Sequence, residues 1–121
     1  MPRRRVILCV DDEVNGLEGR KMLFEEAGFK LLVATNGAEA LQLFVSHLVD
    51  LVLLDYHMPG MNGDVVAEQM KAREPDVPIA LLSADERLPE SALRWVNAFV
   101  SKSESPATCY RLSGVCSICV F

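Results

Sequence analysis

Four apolar runs in this sequence are each followed by a polar group that can do chemistry. Asp11 and Asp12 come after Val6 to Val10, Asp55 after Leu51 to Leu54, Ser83 after Val77 to Leu82, and Lys102 shortly after Ala98-Phe99-Val100. If such runs are neighbouring parallel strands, their ends lie along one edge of a sheet, where ligands of open α/β folds bind. Three carboxylates brought together there repel one another, and a hard cation with a preference for oxygen ligands relieves that repulsion. Mg²⁺ fits because it keeps several waters and usually combines one or two carboxylates with a phosphate. The residue types therefore point to phosphate chemistry.

The elements needed to position these residues are legible as an alternation of short apolar runs with stretches of helical period, the pattern of a parallel sheet covered by helices on both faces. After the first strand a helix is expected over Val14 to Ala27, with Val14, Leu17, Phe24 and Ala27 near one face and Gly28 as the residue that stops it. A second strand over Leu31 to Ala34 leads through Asn36-Gly37 into a helix whose inner stripe is read as Ala38, Leu41, Phe44, Val45 and Leu48. The run Leu51 to Leu54 reads as a strand buried on both faces that delivers Asp55. A helix over Val65 to Ala72, a strand over Val77 to Leu82, a short helix within Pro89 to Asn97 and a strand over Ala98 to Val100 complete the series.

Taken together, Asp11-Asp12, the segment Asp55-Tyr56-His57-Met58-Pro59-Gly60-Met61-Asn62-Gly63, Ser83-Ala84 and Lys102 resemble the receiver domain of two-component response regulators, over about Arg5 to Lys102. The resemblance implies an α/β, flavodoxin-like, doubly wound five-stranded parallel sheet in the order 2-1-3-4-5. It implies that Asp55 is the phosphoacceptor, and that Asp11, Asp12, Asp55 and the backbone carbonyl of His57 hold Mg²⁺, or Mn²⁺ in its place. Ser83 and Lys102 would bind the phosphoryl oxygens, and Phe99 stands where the family has its switch aromatic. The donor would be a histidine kinase or a histidine phosphotransfer protein, with an output partner, or a second copy of the chain, responding to the switched surface. The chemistry is sound for these residues, because a carboxylate can form an acyl phosphate and that transfer depends mainly on positioning and charge neutralisation. The added phosphoryl group carries close to two negative charges, enough to bias a bistable loop. Hydrolysis of the acyl phosphate by the domain itself would be a slow timer, and no further enzymatic activity is expected.

Plainer readings exist for each residue. Asp11 and Asp12 could cap a helix, since Asp is favoured at helix N-termini. Ser83 alone would be a loop hydroxyl, Lys102 a surface charge, Phe99 a core residue, and His47 a surface residue. His57 reads as a side chain that tunes the lifetime of the acyl phosphate, with Asp85 opposite it. Met58 and Met61 suit loop packing around Pro59 and Gly60. Two rival functions follow: a receiver-like binding module that works without phosphorylation, and an aspartyl-nucleophile phosphatase. The phosphatase class wants a second acid two residues after the nucleophile, where this chain has His57.

Composition narrows the field further. The 121 residues suit one domain, with 50% in the hydrophobic set and 24% charged. A formal net charge of -5, with no basic stripe after Arg3-Arg4-Arg5, argues against direct nucleic-acid binding. No apolar stretch approaches the roughly 20 residues of a spanning helix, and no cleavable signal pattern precedes Val6, so a cytoplasmic protein without membrane contact is expected. The four cysteines, one in the first strand and three near the C-terminus, read as reduced thiols, and Cys116-Ser117-Ile118-Cys119 lacks the partners of a zinc site. Residues 103–121 form an atypical ending: Ser103 stands where the family usually has Pro, and the apolar tail from Val115 suggests an altered or truncated terminus of a longer regulator.

Overall fold

The computed structural model describes residues 5–58, 60–83 and 90–101. Their order is β1 (Val6–Val10), α1 (Val14–Glu26), β2 (Lys30–Ala34), α2 (Gly37–Ser46), β3 (Leu51–Asp55), α3 (Gly63–Arg73), β4 (Ile79–Ser83), α4 (Glu90–Leu93) and β5 (Ala98–Ser101). All four strand pairings are parallel, and the sheet runs β2-β1-β3-β4-β5. The expected doubly wound sheet and its strand order are therefore present.

Uninterrupted apolar strands arise because successive side chains point to opposite faces and here both faces are covered. Leu8, Val10, Val52, Leu54, Ile79 and Leu81 pack with Ala40 and Phe44 of α2 and with Val66, Ala67 and Met70 of α3. Ile7, Cys9, Leu31, Leu51, Leu53, Ala80 and Leu82 pack on the other side with Leu17 and Phe24 of α1 and with Phe29. Such a sheet can end in polar groups only at its edges, which is what concentrates chemistry there.

Local signals fix several boundaries. At the end of α1, Gly28 takes φ +98°, a left-handed conformation that costs glycine little. Its N–H donates to the Glu25 carbonyl at 3.1 Å and the Phe29 N–H to the Phe24 carbonyl at 3.0 Å, while the Phe24 and Phe29 rings meet edge to face at 6.0 Å. This Schellman ending joins hydrogen bonds to an apolar contact across the turn. At the start of α2, Asn36 Oδ1 accepts from the Glu39 N–H at 2.8 Å and Glu39 Oε1 accepts from the Thr35 N–H at 3.2 Å. Both interactions satisfy donors at the opening of the helix.

The structure corrects four expectations. The inner face of α2 is Gly37, Ala40 and Phe44, whereas Ala38, Val45 and Leu48 are exposed. The helix stops at Ser46 and His47 is extended, so Leu48 falls outside the period that seemed to include it. Ala27 is the exposed C-cap of α1 rather than part of its buried face. β4 begins at Ile79, two residues later than expected, because the Val77 N–H turns back to the Glu74 carbonyl. The short helix before β5 occupies only Glu90–Leu93, and Pro89 lies outside the described residues.

A polar clamp at the amino end of the sheet ties α3 to β4 and β5. Lys71 Nζ donates to the Val77 carbonyl at 2.7 Å and to Asn97 Oδ1 at 2.8 Å, and Asn97 Oδ1 also accepts from the Ile79 N–H at 3.0 Å. The Asn97 N–H in turn donates to the Ile79 carbonyl at 2.8 Å. Asn97→Ala is expected to cost about 1–2 kcal/mol, since it strips an acceptor from an ammonium and from a strand N–H while water replaces part of it. Urea denaturation would measure this, and an unchanged midpoint would show that the clamp adds nothing to stability.

Candidate metal and phosphoryl site

Each acidic residue reaches the carboxyl edge of the sheet through its strand. Asp11 immediately follows β1, and its N–H continues the ladder by donating to the Ala34 carbonyl at 3.0 Å. Asp55 is the last residue of β3 and pairs with Leu82 in the β3–β4 register. Asp11 and Asp55 are buried, at 1% and 2% exposure, while Asp12 is exposed and marks the solvent side of the cluster. One carboxylate oxygen from each of Asp11, Asp12 and Asp55 lies within 4.8 Å of the others.

The local bonds bear on the plainer reading of the acidic pair. The N-cap of α1 is Glu13, and no side chain caps that helix. Asp11 Oδ1 instead accepts from the Glu13 N–H at 2.9 Å, which fixes the turn after β1 and holds the carboxylate at the sheet edge. Gly63 performs a similar service for Asp55. Its N–H donates to the Tyr56 carbonyl at 2.8 Å, and Gly63 is buried where a Cβ would fall 2.5 Å from the Asp55 carbonyl oxygen. The start of α3 thus rests directly on the end of β3.

The remaining expected residues divide. Ser83 is fully buried as the last residue of β4, one register step beyond Asp55 on the adjacent strand. Phe99 lies in β5 opposite Leu81 and is half-buried. His57 is exposed, with its ring edge to face against Tyr56 at 4.7 Å. Met58 is buried and Met61 packs against the same cluster, as the loop reading expected. Cys9 is buried in β1 and is not part of a disulfide. Lys102, Asp85, Pro59 and the whole 103–121 segment, including the other three cysteines, lie outside the described residues.

The sequence reading missed Arg20. Its Nη1 donates to Asp11 Oδ2 at 3.0 Å and lies 3.6 Å from Cys9 Sγ, with the side chain only 14% exposed. The signal was present: Arg20 falls three residues after Leu17 and four before Phe24, so a charge stands on the apolar stripe of α1. Burial by itself lowers the guanidinium pKa, but the neighbouring Cys9 and Asp11 outweigh that and leave it above its ordinary value. The group is a permanent cation.

An all-oxygen donor set with two buried carboxylates and one exposed suits a hard divalent cation such as Mg²⁺, which tolerates partial hydration. Among the described residues no helix is long and apolar enough to cross a membrane.

Comparison with known proteins assigns this architecture. Residues 7–108 match the response regulator receiver domain, and the chain belongs to that family. It is therefore a signalling domain of the two-component type. The chain is 37% identical over 82 residues to a probable transcriptional regulator, ycf27, of Cyanidium caldarium, covering 68% of this chain and 32% of that protein. It thus spans only about a third of that relative's length. A crystal structure of the response regulator TrrA from Thermotoga maritima in complex with Mg²⁺-BeF aligns with TM-score 0.83 and 35% identity, covering 89% of this chain and 95% of that one. A second structure, of histidine kinase ThkA in complex with TrrA, aligns with TM-score 0.81 and 34% identity, covering 93% of this chain and 99% of that one.

Proposed function

We propose that the protein is a phosphorylation switch in which Asp55 accepts a phosphoryl group with the help of Mg²⁺. The observation that carries this reading is the convergence of Asp11, Asp12 and Asp55 at the carboxyl edge of the sheet, with oxygens within 4.8 Å of one another. These three side chains and the His57 carbonyl are the proposed metal ligands, and Mn²⁺ can take the same place. When bound, the cation supplies positive charge that neutralises the cluster and the incoming phosphoryl oxygens. A carboxylate oxygen of Asp55 attacks phosphorus, the bond from phosphorus to the donor's imidazole nitrogen breaks, and the electron pair leaves with the imidazole. Ser83 donates its hydroxyl to a phosphoryl oxygen, and Lys102 adds a second positive charge.

The similarity to TrrA, crystallised with Mg²⁺-BeF, supports the metal and phosphoryl parts, since beryllium fluoride imitates a phosphoryl group. The ThkA complex supports a histidine kinase as donor, with a histidine phosphotransfer protein as the equivalent alternative. Movement at Ser83 and Phe99 is the proposed coupling from the site to β5 and α4, where an output partner would read it. Position 57 carries His rather than the acid an aspartyl phosphatase requires, so only slow self-dephosphorylation is proposed.

Intact mass after incubation with a small-molecule phosphodonor is the test. A single labile phosphoryl adduct is expected with Mg²⁺ and none with a chelator, and reduction with borohydride followed by peptide mapping should place it at Asp55. An adduct that forms without metal, or maps elsewhere, would overturn the reading.

A further inference from the structure

We propose that Arg20 is a built-in countercharge that competes with the divalent cation and sets the metal affinity of the site. This inference rests on the proposed metal reading of Asp11, Asp12 and Asp55. Arg20 reaches that cluster from α1, with Nη1 at 3.0 Å from Asp11 Oδ2 and at 3.6 Å from Cys9 Sγ. Asp11 is 1% exposed and the Arg20 side chain 14%, so the pair sits where water screens it poorly.

Without a cation, three clustered carboxylates would repel one another across less than 5 Å. Arg20 offsets one of those charges permanently, because a guanidinium does not deprotonate in proteins. It also holds Asp11 in place from one oxygen while the Glu13 N–H holds the other at 2.9 Å. The orientation of Asp11 is therefore set before any metal arrives. The cost appears on binding. A divalent cation must enter beside a fixed positive charge and share the Asp11 carboxylate with it, so Arg20 weakens the metal it helps to prepare for. The arrangement stabilises the metal-free protein and lets occupancy follow the free cation concentration rather than remain saturated. Through the Arg20 bond, occupancy also reports to α1, an element that carries none of the proposed ligands.

Titration calorimetry with MgCl₂ on the full chain and on Arg20→Met and Arg20→Lys tests this, together with thermal unfolding in chelator and in saturating Mg²⁺. Arg20→Met is expected to bind Mg²⁺ about tenfold more tightly than the parent, because removal of one nearby positive charge outweighs the looser hold on Asp11. It should unfold at a lower temperature than the parent in chelator, with the gap closing in saturating Mg²⁺. Arg20→Lys retains the charge and should stay within about threefold of the parent affinity. If the parent binds Mg²⁺ and Arg20→Met binds with equal or lower affinity, the countercharge proposal is wrong and Arg20 serves only to order Asp11. If neither the parent nor any variant binds Mg²⁺, the metal reading itself falls and the proposal with it. Binding by Arg20→Met alone would support both.

Discussion

Gly63→Ala should destabilise the fold by about 3 kcal/mol and weaken Mg²⁺ binding at the same time. A Cβ at this position falls 2.5 Å from the Asp55 carbonyl oxygen, 3.0 Å from the Tyr56 Cα and 3.0 Å from Leu81 Cδ1. Two of these neighbours are backbone of the chain that carries Asp55, so relief requires the amino end of α3 to withdraw from the end of β3. Overpacking of this kind costs roughly 1–3 kcal/mol in cores and more when backbone must shift. The same shift stretches the 2.8 Å bond from the Gly63 N–H to the Tyr56 carbonyl and displaces Asp55, the proposed phosphoacceptor. Urea denaturation gives the stability loss and a Mg²⁺ titration gives the local effect. A variant as stable as the parent would show that α3 can retreat freely, and one that lost stability but kept its metal affinity would separate the helix contact from the site.

Replacing Asp55 with asparagine is expected to have opposite effects on chemistry and on stability. Asparagine nearly preserves the shape but removes one of three negative charges clustered within 4.8 Å, and its amide can donate to the neighbouring carboxylates. The metal-free variant should therefore gain about 1 kcal/mol of stability or more, the water-screened lower limit for a close charge pair. Mg²⁺ affinity should fall at least tenfold because a proposed charged ligand is lost, and no phosphoryl adduct should form because an amide oxygen is a poor nucleophile. Melting curves with and without Mg²⁺ and intact mass with a phosphodonor measure all three. Retention of the adduct would move the acceptor away from Asp55; a loss of metal-free stability would mean that charge repulsion does not dominate this edge.

Much of the architecture was readable because four strands are apolar along their length. Leu51–Leu54 could satisfy both of its faces only under helices on each side, and the polar residue that ended each run then had to lie at a common edge. Helix phase was harder. The segment from Ala38 to Leu48 has apolar side chains at 38, 40, 41, 43, 44, 45 and 48, so more than one stripe fits it. Packing of Ala40 and Phe44 against the sheet decides among them. The same difficulty hid Arg20, because a charge on a buried stripe looks like an error in phase until a partner is found for it. Asp11, a strand away, is that partner. Gly63 stood out in the sequence only as the last residue of the segment that begins at Asp55, and its role depends on a close approach between β3 and α3 that no local pattern encodes.

The clamp made by Lys71 and Asn97 gives the outer strand an uneven mechanical character. β5 is bordered by β4 on one side, and the residue just before it is fastened to the amino end of β4 through both its backbone and its side chain. Its other end, at Ser101, is level with Ser83. The strand is thus paired with β4 from Ala98 to Ser101 and fastened a second time at its foot. On the proposed switch, a displacement imposed beside Ser83 is expected to be resisted at Asn97 and to become a small rotation about that point. Phe99 lies between those two ends, so on the same proposal its ring should move with the rotation, and the stiffness of a clamp remote from the acidic cluster becomes one of the quantities that sets how far it turns.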